Sequence, residues 1–86
     1  MYKIILHKNA VKFYRKADEN SRKKIDKAIK NISTNPYYGV HIKKLQGELS
    51  QMYRYRIGDL RILYEIHDDI KTVRIKVIEL RGKAYG

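Results

Sequence analysis

Three arginines, Arg54, Arg56 and Arg61, sit in the stretch MYRYRIGDLRILYEI over residues 52–66. A guanidinium stays charged at any physiological pH and presents a planar fork of N–H donors suited to phosphate. Three of them on one surface would hold a polyanion. Whether they share a surface depends on the backbone. Gly58-Asp59 at the centre is a two-residue hairpin signal, with Gly first as a type II′ turn requires. That turn pairs Ile57 with Leu60, Arg56 with Arg61, Tyr55 with Ile62, Arg54 with Leu63 and Tyr53 with Tyr64. Side chains alternate between the faces of a strand. Tyr53, Tyr55, Ile57, Leu60, Ile62 and Tyr64 therefore form a core face. Met52, Arg54, Arg56, Arg61, Leu63 and Glu65 form the other.

Like charges directly opposite one another on paired strands cost about 0.2–1 kcal/mol. A chain selected for stability alone would avoid the Arg56–Arg61 pairing, which favours a binding role for this face. The plainer alternative is a solvated sheet surface on which Glu65 relieves part of the repulsion. The tyrosines alternate with the arginines, so Tyr53, Tyr55 and Tyr64 read as core rather than as platforms for nucleobases.

The whole chain shares the cationic character of the hairpin. Its 86 residues carry a formal net charge of +11. This balance suits nucleic acid, an anionic surface or an acidic protein partner. There is no cysteine, which excludes disulfides and thiolate metal sites. His7, His41 and His67 have no ligand spacing, so neither a metal nor a cofactor is expected. No apolar run is long enough to span a membrane. Ile4-Ile5-Leu6 is too short for the core of a signal peptide. The expectation is one domain over residues 1–86, cytoplasmic and without membrane contact.

The elements that would position the hairpin can be read in order. Residues 2–7 read as a first strand, buried on both faces at its centre. Residues 9–17 read as a short helix with Asn9 as N-cap and Ala10, Phe13, Tyr14 and Ala17 on its apolar stripe. Ser21 caps a second helix with the stripe Ile25, Ala28, Ile29 and Ile32, ended by Asn35-Pro36. Residues 36–50 read as irregular, followed by the hairpin and a last strand over residues 72–79. In that strand Val73, Ile75 and Val77 share one face, and Arg74, Lys76 and Ile78 the other. The class is α+β, in the order β-α-α-β-β-β. The sheet should be four-stranded and mainly antiparallel, with the helix pair on one face and the other face open.

This order, together with the run KKLQGELSQMYRYRIGDLRILYEI over residues 43–66, resembles the RelE/ParE superfamily of toxin–antitoxin toxins, and most closely its RelE branch. The shared features are the lysine-leucine-x-glycine loop, the Y-R-x-R-x-G-D-x-R-x-x-Y hairpin, and a last strand ending in Arg81 and followed by Tyr85. Relatives often carry lysines at the positions of Arg54 and Arg56, and a histidine at that of Leu80. The resemblance implies a RelE-like fold and a metal-independent endoribonuclease that cleaves messenger RNA in the ribosomal A site. It implies catalytic roles for Arg54, Arg56, Arg61, Arg81 and Tyr85. The implied partners are the messenger RNA on the ribosome and a cognate RelB-like antitoxin, in a toxin–antitoxin complex of higher order.

The chemistry implied is attack of a 2′-hydroxyl on the adjacent phosphate. It needs a base, positive charge on the phosphorane and an acid at the leaving oxygen. The arginines supply the charge, with Arg61 and Arg81 expected to clamp the scissile phosphate. Arginine is a poor base. Tyr85 is a candidate base or stacking residue, and Glu79 and Glu65 are further candidates for the base. Lys43, Lys44, Lys23 and Lys27 are candidate contacts to ribosomal RNA, or simply solvated charges. Two other readings stay open: a ParE-like inhibitor of DNA gyrase, and an inactive basic RNA-binding domain.

Overall fold

The central hairpin pairs as its turn dictates. A computed structural model describes residues 1–47 and 51–80. Gly58 has φ +58°, the left-handed region that the first position of this turn demands and that only glycine adopts without cost. Strand pairing runs from Ile57↔Leu60 back to Met52↔Glu65, with Arg56↔Arg61 opposed as expected.

The elements are β1 (Lys3–Leu6), α1 (Lys8–Lys16), α2 (Glu19–Thr34), β2 (Ile42–Lys44), β3 (Met52–Ile57), β4 (Leu60–His67) and β5 (Thr72–Leu80). The strands form one sheet in the order β1-β5-β4-β3-β2. β1 runs parallel to β5 and the other neighbours are antiparallel. The class is α+β as expected, but the sheet has five strands rather than four. Residues 42–44, expected to be irregular, are β2, paired as Ile42↔Tyr55, Lys43↔Arg54 and Lys44↔Tyr53. Three residues are too few to show alternation. What orders them is the row of backbone donors and acceptors that β3 would otherwise leave open at the edge of the sheet.

Both helices cover one face of the sheet. Ala10, Ile25, Ala28 and Ile32 meet Tyr55, Leu60, Ile62, Tyr64, Val73, Ile75 and Ile78 in the core. Each isoleucine, leucine or valine buried this fully contributes roughly 1.5–3 kcal/mol. Two polar groups enter this layer with partners. The Tyr64 hydroxyl donates to the Pro36 carbonyl at 2.7 Å, and Asn31 donates to the Tyr55 hydroxyl at 2.9 Å.

Local capping decides where the helices begin and end. α2 starts one turn earlier than Ser21 because Asp18 is its N-cap, accepting from the Ser21 backbone N–H at 2.8 Å. α1 begins at Lys8, with His7 rather than Asn9 in the cap position and no side-chain cap bond. Arg22 closes the far end of α1, donating to the carbonyls of Tyr14 at 3.1 Å and Arg15 at 2.8 Å. A cation there satisfies orphan acceptors and complements the helix dipole. Tyr14 donates to Asp26 at 2.8 Å, which ties the two helices and raises the Tyr14 pKa.

Two further differences from the sequence reading bear on the faces of the sheet. Ile5 is 38% exposed, so β1 is buried on one face only, as befits an edge strand. In β5 a bulge interrupts the register: Tyr64 pairs with Ile75 but Leu63 pairs with Val77, which leaves Lys76 as the extra residue. An extra residue reverses the alternation beyond it. Ile78 consequently enters the core, and Val77 and Glu79 move to the open face. No helix among the described residues is long and apolar enough to cross a membrane.

Candidate functional site

The sheet face away from the helices gathers the cations. Arg56 and Arg61 are both exposed and directly paired across the hairpin. Next to Arg61, on β5, stands Glu79. The Arg61 Nε donates to Glu79 Oε1 at 2.7 Å, and a terminal guanidinium nitrogen donates to the same oxygen. The pair is part-exposed, with side-chain accessibilities of 47% and 28%. This contact exists because of the bulge: an unbroken register would place Ile78 opposite Arg61.

One row along the sheet, Arg54 lies between Leu63 on β4 and Lys43 on β2. Its Nε is buried and has no hydrogen-bond partner among the described residues. A buried donor left unmet costs about 1–3 kcal/mol, more when charged. A row further, Arg74 stands opposite Glu65. Glu65 also takes Lys76 at 3.5 Å and His67 at 3.4 Å. Among the described residues, Lys43, Arg54, Arg56, Arg61, Arg74 and Lys76 thus share this surface with two carboxylates, Glu65 and Glu79.

The structure brings together Arg54, Arg56, Arg61 and Lys43. It separates the other expected contacts. Lys44 alternates to the opposite side of β2. Lys23 and Lys27 are exposed on α2, in the layer behind the sheet, and Lys23 pairs with Glu19 at 3.9 Å. Arg81 and Tyr85 lie outside the described residues. Arg74 and Lys76 were not singled out as site residues. Their shared face was legible in the alternation of β5, but which side of the sheet it joined was not.

The tyrosines belong to the packing, as their alternation implied. Tyr53 stacks on Tyr64 at 5.9 Å, and Tyr37 meets Tyr53 edge-on at 5.7 Å. Burial pushes the Tyr64 hydroxyl pKa well above its ordinary value. Desolvation raises Tyr37, and the hydrogen bond donated to Asp68 raises Tyr2. None of these is suited to serve as a base near neutral pH. Among the described residues, no three His, Asp or Glu side chains gather as metal ligands would.

Comparison with known proteins agrees with this architecture. Residues 4–85 match the family described as ParE toxin of type II toxin-antitoxin system, parDE. The chain belongs to the RelE/ParE superfamily of type II toxins. A Methanocaldococcus jannaschii protein, provisionally named toxin RelE1, is 30% identical over 86 residues, covering 98% of this chain and 94% of that one. The RelBE2 toxin–antitoxin complex of Mycobacterium tuberculosis contains a chain of the same fold, with TM-score 0.80 and 26% identity over 93% of this chain and 98% of that one. A chain of the archaeal RelE–RelB complex from Pyrococcus horikoshii shares the fold at TM-score 0.79, with 23% identity over 95% and 97% of the two chains. In this RelE-like toxin the arginine face is the sheet surface that neither helix covers.

Proposed function

We propose that this RelE-like toxin is a ribosome-dependent endoribonuclease that cuts messenger RNA in the A site and arrests translation. The observation that carries the reading is the convergence of Arg54, Arg56, Arg61 and Lys43 on one open sheet face, with Arg56 and Arg61 opposed at a cost in stability. A phosphodiester lying across this face meets guanidinium forks from two strands. As the 2′-oxygen attacks, negative charge grows on the non-bridging oxygens, and fixed guanidinium groups stabilise that charge more than the ground state. Arg61 clamps the scissile phosphate. Arg56 shares the developing charge, and Arg54, on the same face, takes a flanking phosphate oxygen. Arg81 and Tyr85 enter this scheme through the family resemblance alone. The ribosome supplies the remaining orientation of the RNA, with Lys43 beside the arginines and Lys44, Lys23 and Lys27 free to meet ribosomal RNA elsewhere.

The proposed partner is a RelB-like antitoxin, acidic or amphipathic to match a toxin of net charge +11. The support is that solved relatives are toxin–antitoxin complexes. In this reading the antitoxin blocks the arginine face, and the assembly is of higher order.

A second reading follows from the family description matched, which names a ParE toxin: a protein-binding module that inhibits DNA gyrase and cuts no RNA. In vitro translation of a defined message, read by primer extension, separates the two. Discrete cuts within the A-site codon support the ribonuclease. An intact message together with inhibited gyrase supercoiling supports the second reading and excludes the first.

A further inference from the structure

Among the described residues, one carboxylate shares the row of the opposed Arg56 and Arg61, and its position gives the proposed reaction a base. We infer that Glu79 is the general base that activates the 2′-hydroxyl; this rests on the ribonuclease reading above. Glu65, the other carboxylate of this face among the described residues, lies four residues further along β4 and is engaged by Lys76 and His67. Glu79 sits beside Arg61, and its only bonds in the described structure are those accepted by a single oxygen, Oε1, from Arg61. The second carboxylate oxygen is free to receive a proton.

Arg61 does more than neutralise Glu79. A guanidinium has five N–H donors in a rigid plane. Two of them engage Glu79, and the rest are left for a phosphate. A carboxylate and a phosphate bound by the same guanidinium lie side by side, which places the free oxygen of Glu79 near the hydroxyl adjoining that phosphate. The bulge at Lys76 is what creates this neighbour, by turning Glu79 rather than Ile78 onto the arginine face.

The step balances without any further reagent. The 2′-hydroxyl proton passes to Glu79 as the 2′-oxygen bonds to phosphorus. The bond from phosphorus to the 5′-oxygen breaks, leaving a 2′,3′-cyclic phosphate. The departing 5′-oxygen takes a proton from water, and the hydroxide formed is neutralised by the proton held on Glu79.

The test is single-turnover cleavage of message on programmed ribosomes with the toxin at saturating and at varied concentration. Glu79→Gln keeps an oxygen for Arg61 but accepts no proton. Its saturated rate should fall by roughly 100-fold or more, the range of general-base catalysis, while half-saturation stays constant or moves to lower toxin concentration. Glu79→Ala should lose the same rate and regain part of it with added formate, a rescue that loss of a purely structural contact would not show. Circular dichroism confirms that both variants fold. Cleavage by either variant at the wild-type rate overturns the inference, and so does a loss confined to half-saturation. A wild-type toxin that leaves the message uncut is a different failure: it overturns the ribonuclease reading, and this inference with it.

Discussion

Arg61→Ala should separate the stability of the arginine face from its chemistry. Two opposed interactions end on this guanidinium. Across the hairpin it faces Arg56 at the paired position, which costs about 0.2–1 kcal/mol. Toward β5 it donates twice to Glu79. At side-chain accessibilities of 47% and 28%, solvent screening limits that pair to about 0–1 kcal/mol. The two nearly cancel, so removing Arg61 should change the unfolding free energy by less than about 1 kcal/mol in either direction. Arg56→Ala is the control. It removes the same repulsion, and Arg56 has no ion pair among the described residues, so it should stabilise by a few tenths of a kcal/mol. Cleavage should respond differently. Loss of a charge that acts in the transition state should slow Arg61→Ala at least about tenfold, or roughly 1.4 kcal/mol. Urea denaturation at low salt, followed by circular dichroism, measures the first quantity; primer extension on programmed ribosomes measures the second on the same preparation. Destabilisation of about 3 kcal/mol or more would show that the pair behaves as a buried one and refute the cancellation. Wild-type cleavage by Arg61→Ala would remove this residue from the chemistry.

Other predictions concern the parts that hold the face in place. Tyr64→Phe should cost about 1–3 kcal/mol at pH 7, because the buried Pro36 carbonyl loses its donor. Burial raises the folded-state pKa of Tyr64 above its unfolded value near 10. Its stabilisation is therefore complete below pH 10 and falls above it, by up to about 1.4 kcal/mol per pH unit. The gap between wild type and Tyr64→Phe should narrow between pH 10 and 11 in urea titrations, and a constant gap would refute the linkage. Asp18→Ala should lower stability by about 1 kcal/mol in thermal unfolding, and Ser21→Ala should be nearly neutral; the reverse order would restore Ser21 as the cap. Lys43→Ala should reduce the slope of log affinity against log salt for a non-cleavable 2′-O-methyl RNA by about 0.7, while Lys27→Ala leaves it unchanged. Equal effects in fluorescence anisotropy would mean that the RNA does not select the arginine face.

Much of this protein is legible in local sequence. The Gly58-Asp59 turn and the strict alternation around it specify the hairpin register, the core tyrosines and the opposed arginines, because a turn type and a period of two leave one pairing that buries the apolar set. Ile25, Ala28 and Ile32 likewise announce the buried stripe of α2 through the helical period. Tertiary structure decided the rest. β2 is ordered by the open edge of β3, and its three residues have no pattern of their own; that edge brings Lys43 beside Arg54. The bulge at Lys76 is a choice between two registers of β5 against β4, settled by packing Ile78 into the core. Its consequence is the Arg61–Glu79 pair, made by residues on different strands whose register no local signal reveals. A period can tell which side chains share a face of one strand. Only the assembled sheet tells which carboxylate stands next to which arginine.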